Sequence, residues 1–150
     1  MPKTYGSVLT IASGPAKPYA IVWGIEMNWT RLAAALMGLT VLLHVFGGGQ
    51  EVHHPLQAAL SDPFLAAFAA VLWHMVTLAL VVLAGGLWML AQRHDPALEA
   101  ILSGMQFGFA AVFIFYGLTR LGTVMPMNQW TIFLIIPALT RFGQSRQKSQ

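Results

Sequence analysis

The chain contains no cysteine. That removes disulfides, thiolate metal sites and cysteine nucleophiles, and leaves the redox compartment undetermined. Charge is almost as scarce. Charged residues are 9% of 150, where a soluble domain carries roughly 25%. Five acids and eight Lys and Arg are too few to cover a water-soluble globule of this size. The bases sit beside apolar blocks, with no clustered basic face of the kind nucleic acid requires. There is no Gly-rich phosphate loop, no Ser-His-Asp set and no pair of deep carboxylates, so no enzyme class is indicated. What the chain does have is 57% hydrophobic residues in long blocks, and the lipid bilayer is the partner they imply.

A membrane-crossing helix needs about 20 mostly apolar residues. Four segments are candidates, the last of them short, predicting an all-α, integral membrane four-helix bundle with antiparallel up-down order. The first span is expected over 28–46, capped by Asn28 or Thr30 and ended by Gly47-Gly48-Gly49. The second, over 63–92, opens on Asp62 as cap and Pro63 as first residue. The third, over 96–121, repeats that start with Asp95 and Pro96, and Glu99 lies in its first turn as a helix-start charge. The fourth, over 128–142, contains Pro137 and should kink. Residues 1–26 read as a poorly ordered or interfacial extension and 143–150 as a cytoplasmic tail. The loop from Gly47 to Asp62 is expected to be the longest.

Lys and Arg in short loops mark the cytoplasmic side. Lys3, Lys17, Arg31, Arg93, Arg141, Arg146 and Lys148 fall on one side, and Arg120 alone on the other. Both termini are therefore expected inside, in a bacterial inner membrane, with Glu51, His53 and His54 facing out.

Lipid gives no hydrophobic drive for helix association, so small and polar residues should mark the buried faces. The expected stripes are Ala33, Met37, Thr40 and His44 on the first helix, and Ala67, Ala70, His74, Thr77, Val81 and Gly85 on the second. On the third they are Ser103, Gln106, Ala110 and Gly117, beside a GxxxG pair, Gly104 and Gly108. His74 and Gln106 fall at a shared depth of about 15 Å. With Thr77 and Thr40 they form a candidate ligand-binding set, or simply a polar interhelical contact. His44, Glu51, His53, His54 and His74 form a candidate metal set at the outer mouth, since imidazole and carboxylate suit Zn, Cu, Fe or Ni. A haem between His44 and His74 is the related alternative, disfavoured by a depth difference of about 11 Å.

Leu43-His44-Val45-Phe46-Gly47-Gly48-Gly49, followed by Trp73-His74, resembles a group of small, uncharacterised bacterial four-span membrane proteins. The resemblance covers about 27–142. It implies the four-helix membrane fold and a bacterial inner membrane, and it implies no activity. Three functional expectations follow, in this order. One is a structural or accessory bundle that packs with itself as a homo-oligomer or with a larger membrane complex. Another is a histidine-based protein binding a transition metal or haem, with redox chemistry as one use. The third is a small transporter or ligand-binding bundle. Exposed Gly104 and Gly108 would favour a dimer.

Overall fold

The computed structural model describes residues 28–147, and side chains through Arg146. The predicted extension over 1–26 and the last residues, 148–150, lie outside that range. The described residues form four long helices: α1 (Trp29–Ala59), α2 (Pro63–Leu90), α3 (Pro96–Leu121) and α4 (Trp130–Gln147). A single 3-10 turn, Met125–Met127, joins the last two. α1, α2 and α3 are long and apolar enough to cross a membrane, and α4 is not in that set.

Two starts follow from local chemistry. The Asp62 side chain accepts from the Phe64 and Leu65 amides at 2.8 and 3.0 Å, and Asp95 accepts from the Leu98 amide at 3.0 Å. Each satisfies amides that the first helical turn leaves without partners. Pro63 and Pro96 follow directly, where a missing N–H costs nothing. The connection between Leu90 and Pro96 is short, so α2 and α3 form an antiparallel hairpin.

The first helix departs from expectation. It does not end at Gly47-Gly48-Gly49. Trp29–Leu42 is α-helical, Leu43–His53 is π-helical, and His54–Ala59 is α-helical again. The long loop is thereby reduced to Leu60, Ser61 and Asp62. A glycine ends a helix by adopting positive φ. Among the described residues only Gly122 does so, at φ 68°, as the cap of α3. The run 47–49 keeps helical dihedrals, and its amides find partners in its own helix. The fourth helix also runs beyond its expected end, through 143–147 to Gln147.

α1 packs on α2 and on α4, and α3 packs on α4. α2 meets α3 where Gly86 faces the Leu102 side chain. The core gathers Ala33, Ala34 and Met37 of α1, Leu80, Leu83, Leu87 and Leu90 of α2, Leu102 and Ala110 of α3, and Phe133 and Ile136 of α4. The stripes expected on α1 and α3 match this core in part: Ala33, Met37, Gln106, Ala110 and Gly117 are buried, and Thr40, His44 and Ser103 are half-buried. The stripe expected on α2 does not. Ala67, His74, Val81 and Gly85 are exposed, and a leucine ladder is buried instead. Close packing needs large groups against small ones. Here α2 supplies the leucines, and Ala33 and Ala34 supply the space.

Burial is uneven along the helices. From Pro63 to Ala79, α2 buries nothing fully, and from Leu43 to Ala59, α1 buries only Gly49. These two segments pack on each other. The molecule thus has a closed end, where all four helices meet, and a hairpin end made of the distal parts of α1 and α2.

Candidate functional site

The π segment determines which side chains share a face. A π-helix closes i→i+5 hydrogen bonds, here visible at the His54 amide, which bonds the Gly49 carbonyl. With about 4.4 residues per turn, positions 44, 48 and 53 stack above one another. Trp73 of α2 occupies that column. Its indole stacks on His44, with ring centres 4.0 Å apart and planes 17° from parallel, and on His53, at 5.0 Å and 23°. Gly48 lies beneath the indole, where a Cβ would come within 3.0 Å of Trp73 Cη2. His53 further approaches His54, with ring centres 5.9 Å apart, and His74, 6.0 Å apart. Four of the five histidines therefore gather at the hairpin end, two of them stacked on one tryptophan. Nε2 of His44 and Nδ1 of His53 are buried without a hydrogen-bond partner.

The candidate residues separate into groups. His44, His53, His54 and His74 are brought together, whereas Glu51 is exposed on the helix surface. Among the described residues no three His, Asp or Glu side chains are placed to hold a metal ion. The second set is dispersed. His74 is exposed and borders a shallow depression lined by Ala70, Val71, Met75 and Leu78, all on α2. Gln106 is fully buried and donates to Leu102 O of its own helix at 3.1 Å, and its Oε1 has no partner. Thr40 and Thr77 each donate to the carbonyl four residues earlier, Leu36 O and Trp73 O. The polar groups of that set turn back on their own helices, as Ser and Thr side chains do. His74 and Gln106 are not partners.

At the closed end lies a polar cluster that sequence reasoning missed. Gln144 of α4 is 1% exposed. Its Nε2 donates to Leu90 O at 3.0 Å and to Thr30 Oγ1 at 3.4 Å, and its Oε1 meets His94 Nδ1 at 2.8 Å. One amide thus ties α1, α2, α4 and the α2–α3 connection. Asn28 Nδ2 adds a bond to Ala91 O at 3.4 Å. Gly143 lets α4 approach α1 here, since a Cβ would come within 2.8 Å of the Thr30 amide nitrogen. Glu99 does lie in the first turn of α3, as expected, but it is also an interhelical ion-pair partner. It is 5% exposed, and its Oε1 accepts from Arg141 Nη1 at 3.2 Å. The one signal available in the sequence was opposite charges at matched depth on two antiparallel helices.

Compared with known protein families, curated proteins and solved structures, the chain matches none.

Proposed function

We propose that the chain is an integral membrane protein working as an accessory helix bundle that assembles with a second copy of itself. One observation carries this. Gly104 and Gly108 of α3 are exposed, and a Cβ built on either meets nothing within 4 Å. Ala100 and Ala111 continue the same exposed face. In lipid, a flat strip of small residues lets two helix backbones approach closely and gain dispersion contacts and Cα–H···O bonds. Gly costs helix stability wherever it does nothing else. The distribution of Lys and Arg supports an arrangement with both termini cytoplasmic in a bacterial inner membrane.

The absence of native cysteine makes the test clean. Ala111→Cys in native membranes is expected to form a disulfide dimer, and Gly108→Ile added to it should abolish that product. A strictly monomeric Ala111→Cys chain under oxidation would remove the proposal.

A second reading, histidine-based metal or haem binding, starts from the proximity of His44, His53, His54 and His74 at the hairpin end, whose rings would have to rearrange to put three ligands on one ion. Metal analysis and a visible spectrum of the purified chain test it. Retention of a stoichiometric transition metal or of a Soret band supports it, and a colourless, metal-free, folded protein removes it.

A further inference from the structure

The closed end contains a cavity of about 90 Å³ lined by His94, Glu99, Arg141, Gln144 and Ser145. The amide orientation of Gln144 determines its chemistry. Leu90 O can only accept, so the atom facing it is the Gln144 NH2, and the atom facing His94 is Oε1. Oε1 in turn can only accept, so His94 Nδ1 bears the hydrogen. In the neutral ring Nε2 is then an acceptor, and it is buried without a partner. The other titratable wall is the Glu99 carboxylate, which has about four acceptor positions, one of them used by Arg141. The Glu99 side chain is 7% exposed and that of Arg141 81%. A carboxylate is thus buried against a cation that remains largely outside. His94 and Glu99 both line one small space, and the nearest cation leaves most of its own donors available.

We propose that this cavity binds the primary ammonium of a phospholipid headgroup, with the phosphodiester held by the exposed guanidinium of Arg141. An ammonium carries three N–H donors and matches both the carboxylate and the imidazole nitrogen. The adjacent phosphate suits a guanidinium, which binds phosphate through two N–H groups at once. The lipid, rather than a free solute, is indicated by depth. α2 and α3 are each longer than a ~30 Å hydrocarbon core, so their shared end reaches the headgroup layer. Exposed Arg31 and Arg93 lie at the same end and favour phosphate there. The inference rests on the membrane reading and is independent of the self-association face on α3.

The full chain, purified in detergent, is offered equal amounts of phosphatidylethanolamine, phosphatidylglycerol and phosphatidylcholine of identical acyl chains, and adducts are counted by native mass spectrometry. Phosphatidylethanolamine adducts should exceed each of the others by roughly fivefold or more. Glu99→Gln should remove that excess. Should Glu99→Gln fail to fold, the wild-type chain is titrated with mono-, di- and trimethylated phosphatidylethanolamine. Retention should fall stepwise as N–H donors are lost. Equal retention of the three lipids, an excess that survives Glu99→Gln, or a flat methylation series overturns the proposal. Displacement of the lipid by free phosphoethanolamine at equal concentration overturns the assignment to lipid.

Discussion

His44 and His53 stand nine positions apart in α1 and stack on the same indole, that of Trp73. In an α-helix nine residues make about 2.5 turns and would point the two rings in opposite directions. In a π-helix they make about two turns and align. The π segment Leu43–His53 is therefore what makes a common face possible. Glycine at 48 leaves the space that the indole takes, whereas a Cβ at 47 or 49 would meet nothing within 4 Å.

That relationship predicts the effect of a deletion. Removing Gly47 and Gly49 leaves seven positions between the two histidines, about two turns of an α-helix. The shortened chain should keep both rings on Trp73 in α-helical register. With the other tryptophans replaced by Phe, the Trp73 emission maximum should stay at its wild-type position. A shift to the water-exposed value would contradict the register account.

Gly48→Leu, in contrast, should expel the indole, since a Cβ alone already lies 3.0 Å from Trp73 Cη2. Overpacking of this kind costs about 1–3 kcal/mol. The measurement is a lowered unfolding midpoint together with a changed Trp73 emission. An unchanged midpoint would mean the hairpin end absorbs the side chain.

Gly143→Ala is a more severe test with a smaller group. The new methyl meets the Thr30 backbone at 2.8 Å, and backbone yields less readily than a side chain. A loss of about 2–3 kcal/mol is expected in detergent unfolding titrations. Gly38→Ala, at a position with nothing within 4 Å, is the matched control and should not destabilise.

Two buried glutamines should respond with opposite signs. Gln144→Leu leaves Leu90 O and His94 without the partner each has now, and should cost about 1–3 kcal/mol. Gln106→Leu removes a side chain that bonds only its own helix and has an unpaired Oε1, so stability should hold or rise by about 1 kcal/mol. Equal losses in the two variants would show that the Gln144 bonds add nothing beyond volume.

The parts of the fold legible in the sequence were those written in local backbone chemistry. Asp62-Pro63 and Asp95-Pro96 start helices wherever they occur, because cap and proline act within one turn. The glycine run was misread for a related reason. In water Gly47-Gly48-Gly49 is a stop signal, since solvent can take the freed amides. In an apolar setting the only partner is the helix itself, and the chain continues. The aligned histidines were then invisible, because His44 and His53 share a face only in π register. His74 stands out in the sequence as polar within an apolar span, but its pairing with Gln106 rests on depth alone. Depth ignores rotation about the helix axis, and rotation turns Gln106 into the core and His74 outward. Glu99, Arg141 and Gln144 were missed because their contacts join residues 42 to 114 positions apart.

The tie made by Gln144 at one end, and the sparse burial at the other, imply a gradient of motion. Amide protons next to Leu90 and Thr140 should exchange only on global unfolding. Those of the distal hairpin should exchange through local opening, at rates set by the Trp73 stack. The chain would then behave as a fork clamped at its base, whose two free tines move together. Whatever binds near His53 or His74 would be felt as a change in how that pair of tines vibrates, well before the base responds.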